Sequence, residues 1–150
     1  MATKKILLPA CLLLALLAGG YAVYLKMRQG ALLENGETFA RTIAGNIIQD
    51  WNIDYFRQVA SGQLLASFDA GGIEAAFRNF RRVGTLQSLG GVRGELLNAG
   101  WLPAAQPLMA RYYISGEFSS GPAEIYVELV QSGETWQVSS FYIQTPLLAE

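Results

Sequence analysis

From Ile6 to Leu25, twenty consecutive residues carry no charge, and beyond Leu25 the apolar positions turn periodic. A twenty-residue helix rising about 1.5 Å per residue spans roughly 30 Å, the thickness of a bilayer's hydrocarbon core. Lys4 and Lys5 precede the run and Lys26 and Arg28 follow it. Tyr21 and Tyr24 fall at its far end, where amphipathic rings favour the interface. The pattern predicts a transmembrane signal anchor over residues 1–25, with the chain after Leu25 carried across the membrane. A cleaved secretory signal is the alternative, with small residues at Ala18-Gly19-Gly20 or Gly20-Tyr21-Ala22 as cleavage sites near Ala22. The Leu8-Pro9-Ala10-Cys11 stretch resembles a lipoprotein site. Only Ile6 to Leu8 precede it as a hydrophobic region, however, where about 7–15 residues are needed.

After a spacer over residues 26–36, Phe39, Ala40, Ile43, Ala44, Ile47, Ile48 and Trp51 recur at three- and four-residue steps. This predicts an amphipathic helix over 37–51 with Asn35 as its cap. The pattern breaks at Asn52-Ile53-Asp54, where Asp54 can cap a second, short helix carrying Tyr55, Phe56, Val59 and Ala60. A short apolar piece at 63–68 and a turn at Asp69-Ala70-Gly71-Gly72 lead to Ile73, Ala76, Phe77, Phe80 and Val83, again at helical spacing. From there the period becomes two. A glycine-weakened strand is expected over 92–98, then a loop over 100–107 held by Pro103 and Pro107. In the strand from Met109, one parity carries Ala110, Tyr112, Ile114, Gly116 and Phe118. Ile125, Val127 and Leu129 share a face of the next strand. In the last, Trp136 and Val138 differ in parity from Phe141 and Ile143, which predicts a bulge at Ser139-Ser140. Helices followed by an antiparallel meander make an α+β domain over 37–145, about three helices on a curved sheet of three to four strands, with a tail over 146–150.

Composition narrows the chemistry. The 150 residues are 51% apolar and 15% charged, with no histidine and one cysteine. Histidine-based triads, cysteine-only metal clusters and intramolecular disulfides are excluded, and neither a metal nor a cofactor is expected. Beyond residue 25 lie nine basic and all twelve acidic side chains, a balance of −3 that gives nucleic acid no basic surface.

Trp51-Asn52-Ile53-Asp54-Tyr55-Phe56, with Ala110-Arg111-Tyr112, Gly121-Pro122-Ala123-Glu124-Ile125 and the closing strand from Trp136 to Ile143, resembles the nuclear transport factor 2-like, cystatin-like superfamily. The likeness covers roughly residues 37–145 and is strongest to small bacterial members with one membrane anchor. It implies a cone-shaped fold with a pocket between helices and concave sheet. The superfamily includes isomerases, dehydratases, ligand-binding and dimerisation modules and components of secretion machines. Its enzymes commonly use an Asp–His pair or a tyrosine with an aspartic acid, and the first is impossible without histidine.

Asp54, Tyr55, Trp101 and Tyr112 are the candidate pocket residues. Asp50 and Asp54, one helical turn apart, could pair for acid–base work with Tyr55, Tyr112 or Tyr142 as the oxyanion donor. The plainer role for Asp54 is a helix cap. Arg78, Arg81 and Arg82 form the one basic cluster, a candidate interaction site or else a solvated face, which Glu117, Glu124 and Glu128 could pair within the chain or across a dimer. Trp101 either plugs the open end of the cone or anchors an interface. The expectation is a non-enzymatic, single-pass inner-membrane protein with a periplasmic binding or assembly domain. Its partner would be a protein, a second copy or a small apolar ligand. A pocket enzyme built on Asp54 and a structural subunit of a secretion or pilus machine are the alternatives.

Overall fold

The alternating segment from Met109 onward folds as three successive antiparallel strands, and the glycine-rich stretch before it supplies a fourth. Strands β1 (Leu86–Leu96), β2 (Met109–Phe118), β3 (Gly121–Ser132) and β4 (Thr135–Gln144) form one open sheet in chain order. Before them come α1 (Ala2–Gln49), α2 (Ile53–Val59), α3 (Gly62–Ala66), α4 (Gly72–Phe80) and a 3-10 turn at Arg81–Val83, and a second 3-10 turn at Pro146–Leu148 follows β4. The computed structural model describes residues 2–99 and 107–148. The architecture is α+β, as the change of period predicts. Contacts divide the chain into two units, Met1–Leu32 and Leu33–Glu150.

In the first unit Leu12, Leu13, Leu14, Leu16, Leu17, Val23 and Met27 are all exposed. By length and composition, the helix that carries them is apolar enough to cross a membrane. Cys11 is free and exposed.

The second unit begins within α1. Residues 26–36, expected as a spacer, are helical, and Asn35 sits inside α1 instead of capping a new start. A cap serves amide groups that lack an upstream carbonyl, and here the preceding turn supplies the carbonyls. The predicted stripe is present: Ala40, Ile43, Ala44, Ile47 and Ile48 are buried. Trp51 leaves the helix at φ 50°, left-handed backbone that favours glycine, and Asn52 N donates to Ile47 O at 2.8 Å. The Trp51 ring stacks on Phe118 at 6.5 Å between centroids, which offsets the backbone strain. The cap of α2 is Asn52 and not Asp54: Asn52 Oδ1 accepts from Tyr55 N at 2.9 Å, while Asp54 lies one residue inside the helix. Ala60 then bridges to Val138, and Ser61 N donates to Val138 O at 2.7 Å, covering part of the β4 edge.

Strand β1 starts at Leu86, six residues earlier than expected, because its glycines allow a bulge instead of ending the strand. The register shifts between Leu89 and Val92, and Arg41 of α1 donates to the carbonyls of Leu89 and Gly90 at 3.0 and 2.7 Å. In β2, burial alternates as predicted, with Ala110, Tyr112, Ile114, Gly116 and Phe118 inside. The predicted bulge in β4 is at Ser139: Glu128 faces Ser140 while Leu129 faces Val138. Between the helices and the sheet, Phe56 meets Phe68, Phe77 and Phe141 edge-to-face at 5.3–6.4 Å, and Phe80 joins Phe77 and Phe141.

Candidate functional site

The face of the sheet that turns away from the helices carries an ordered set of polar and aromatic side chains. Its order follows from register. The turn at Ser119 and Ser120 pairs Phe118 with Gly121, which places Tyr113 opposite Tyr126, Arg111 opposite Glu128 and Ser115 opposite Glu124. The turn at Gly133 and Glu134, corrected by the Ser139 bulge, brings Tyr142 opposite Tyr126. On the other side, Arg93 faces Tyr113 and Glu95 faces Arg111. One row therefore crosses all four strands as Arg93, Tyr113, Tyr126 and Tyr142, with a row of Glu95, Arg111 and Glu128 beside it.

These neighbours interact. The Arg93 guanidinium lies 5.2 Å from the Tyr113 ring centre and pairs with Glu124 at 2.9 Å. Tyr113 meets Tyr126 edge-on at 5.4 Å, and Tyr126 stacks on Tyr142 at 4.2 Å. Arg111 donates to Glu128 at 2.7 and 2.9 Å and lies 3.3 Å from Glu95, with its guanidinium 5.5 Å from the Tyr126 ring centre. Tyr126 Oη donates to Glu128 as well. The hydrogen bond to Glu128 holds the Arg111 proton more firmly than usual. Burial, and then that same carboxylate, pushes the Tyr126 phenol upward. The network sets paired charges against aromatic rings.

The row is not closed to solvent. Tyr142 is 40% exposed, and the Arg93 and Glu95 side chains are 75% and 55% exposed. An open hollow of about 450 Å³ at the β1 end is lined by Arg93, Gly94, Glu95 and Tyr113. Glu117 points to the same side from β2, exposed and without a hydrogen bond or ion pair among the described residues.

Of the residues expected to share a pocket, Asp54 and Tyr112 lie apart. Asp54 is 89% exposed and pairs with Arg57, which also pairs with Glu74. Tyr55 is half-buried and accepts from Asn46 Nδ2 at 3.2 Å. Tyr112 is fully buried, and its hydroxyl donates to Leu33 O at 2.9 Å. Sixteen residues of α1 separate Leu33 from Gln49, about 24 Å at 1.5 Å each, so Tyr112 Oη and Asp54 sit toward opposite ends of that helix segment. Asp50 is exposed in the turn after α1. Trp101 and the loop over 100–106 lie outside the described residues.

Arg78, Arg81 and Arg82 are all exposed on α4 and its 3-10 extension. Arg82 donates to Asn79 Oδ1 at 3.3 Å, whereas Arg78 and Arg81 have no partner among the described residues. The sheet-face acids expected as their partners are taken instead: Glu124 by Arg93 and Glu128 by Arg111. The tyrosine row escaped the sequence reading because parity assigns Tyr113, Tyr126 and Tyr142 to the polar side one strand at a time. Only the pairing register lines them up. Among the described residues, no group of three or more His, Cys, Asp or Glu is placed to hold a metal ion.

Comparisons with protein-family models, with curated proteins and with solved structures each give no match.

Proposed function

We propose that this chain is a membrane-tethered, non-enzymatic binding or assembly module whose open sheet face engages a protein partner. The observation that carries the reading is the row Arg93, Tyr113, Tyr126, Tyr142, whose two ends, Arg93 and Tyr142, are open to solvent while Tyr126 is packed between its neighbours. Tyrosine and arginine are among the residues that interfaces concentrate at their energetic centres, tyrosine for a large rigid ring and arginine for a planar fork that pairs with carboxylates and stacks on rings. Here the rings and guanidinium groups are already held by one another and by Glu124 and Glu128, so docking has less side-chain freedom to freeze out. The exposed apolar stretch of α1 supplies the tether, a single pass with the domain on the periplasmic side of a bacterial inner membrane. The cystatin-like resemblance agrees with helices on one face of an antiparallel sheet, and in this reading the curved sheet is the recognition surface.

A photo-reactive residue replacing Tyr142 in the full chain, expressed in native membranes, tests the proposal. Adducts are expected at position 142 and not with the same residue at Gln58, an exposed site on α2. Equal labelling at both positions, or none at either, overturns the assignment of the face.

A further inference from the structure

Two surfaces on opposite sides of the sheet carry opposite charge, each with at least one member unpaired among the described residues. On the helix side, Arg78, Arg81 and Arg82 project from α4 and the turn that follows it, while Ile73, Phe77 and Val83 of the same segment are buried. Arg78 and Arg81 find no carboxylate among the described residues. On the open face, Glu95, Glu117, Glu124 and Glu128 outnumber Arg93 and Arg111 by two, and Glu117 is unpaired among the described residues. Each surface has the charge that the other lacks.

We propose that the occupant of the tyrosine row is the Arg78, Arg81 and Arg82 corner of a second copy, docked head to tail. The inference rests on the open face being the recognition surface, and it names the partner. Guanidinium groups suit this face twice over. They can pair with Glu117 and the exposed edges of Glu95 and Glu124, and they can lie against the Tyr142 ring as Arg93 lies against Tyr113. Because donor and acceptor surfaces lie on opposite sides of the molecule, the contact is heterologous. It leaves one free surface at each end and so propagates a row of copies instead of closing a symmetric dimer. At a strand spacing of about 4.8 Å and a rise of about 3.4 Å per residue, the patch from Glu117 to Arg111 across four strands covers roughly 300–400 Å², about half of what each partner buries in a standard interface. Association is therefore expected to be weak in dilute solution, sensitive to salt, and strengthened when copies share one bilayer.

The experiment uses the full chain in detergent and in lipid nanodiscs, followed by sedimentation. A corner variant carries Arg78→Glu, Arg81→Glu and Arg82→Glu, and a face variant carries Glu117→Lys and Glu124→Lys; circular dichroism checks that both fold. Wild type is expected to self-associate at low salt and to weaken at least tenfold as salt rises through about 0.5 M, given screening. Each variant alone is expected to be monomeric. Mixing them pairs the intact arginine corner of one variant with the intact face of the other, and the reversed corner with the reversed face, so association lost in each variant alone returns in the mixture. A wild type that stays monomeric in both media overturns the proposal, as does a corner variant that associates like wild type or a mixture that does not associate. Adducts at position 142 to a different protein, with no self-association, overturn the proposal while leaving the face as the recognition surface. Absence of both signals overturns the two together.

Discussion

Tyr112 shows how much structure one hydroxyl can organise. It sits at the centre of β2, fully buried, between glycines of two different elements. A Cβ at Gly36 of α1 would come within 2.1 Å of Tyr112 Oη, and one at Gly94 of β1 within 2.5 Å of its ring. Both glycines are there for close approach. The helix lies near enough to accept the hydroxyl at Leu33 O because Gly36 has no side chain in the way. Tyr112→Phe is expected to cost about 1 kcal/mol in denaturant unfolding, the usual worth of one buried hydrogen bond. Gly36→Ala is expected to cost about 1–3 kcal/mol, through overpacking. The two should couple, because removing the hydroxyl removes the clash; independent, additive losses would show that the glycine acts elsewhere. Burial, then the nearby charge of Glu37, pushes the Tyr112 phenol from 10.0 up to about 12. A raised phenol keeps its proton in the folded state after the unfolded chain has released it. The stabilisation is therefore whole below pH 10 and lost as pH rises toward 12. Alkaline titration of unfolding should show a smaller fall in Tyr112→Phe than in wild type, the remainder coming from the raised phenol of Tyr126.

At the scale of elements, the boundaries are set by which backbone groups lack partners. The amides at the start of α2 need an acceptor because Trp51 has turned the chain out of α1, and Asn52 provides it. Asn52→Ala should lower stability by about 1 kcal/mol, whereas Asp54→Ala, at an exposed position that contributes through Arg57 and the helix dipole, should change it by less than about half that. Equal losses would return the capping role to Asp54. Parity made the β2 and β3 faces and the β4 bulge legible, because a period of two ties each side chain to one side of the sheet. Three features were not legible, each for a physical reason. Asn35-Gly36 reads as a break, yet the helix passes through it, held by packing against Tyr112 that no local pattern contains. The early half of β1 reads as glycine-rich coil, yet Arg41, 48 and 49 residues away, holds its bulge carbonyls. The tyrosine row depends on register across three strand pairings, and Asp54 does not meet Tyr112 because Tyr112 is spent on the core and Asp54 on solvent and Arg57.

For the whole molecule, the decisive physical division is between two kinds of apolar surface. In the unit Leu33–Glu150 most of the described large apolar side chains are buried against one another, from Ile43 and Ile47 to Ile125 and Val138. In the unit Met1–Leu32 they are exposed, with Leu13 and Leu17 each 62% accessible. In water that second surface would cost about 25 cal/mol for every Å² left exposed, and the proposed tether places it in a bilayer, whose hydrocarbon core matches the length of the apolar run. The tether should therefore resist alkaline carbonate extraction from native membranes. Leu13→Arg with Leu17→Arg places two charges at the middle of the span, at about 2.5–3.5 kcal/mol each, and should release the chain to the soluble fraction. The soluble form should keep the near-ultraviolet signal of the tyrosine row and its cooperative unfolding, since none of the core residues named above is touched. Release of wild type by carbonate would remove the tether. The intact mass of the membrane-bound protein distinguishes a retained anchor from cleavage near Ala22, which would shorten the chain by about twenty residues before Tyr24 and Lys26. An intact chain whose C-terminal tag is digested only after the outer membrane is opened would fix both the single pass and the periplasmic side.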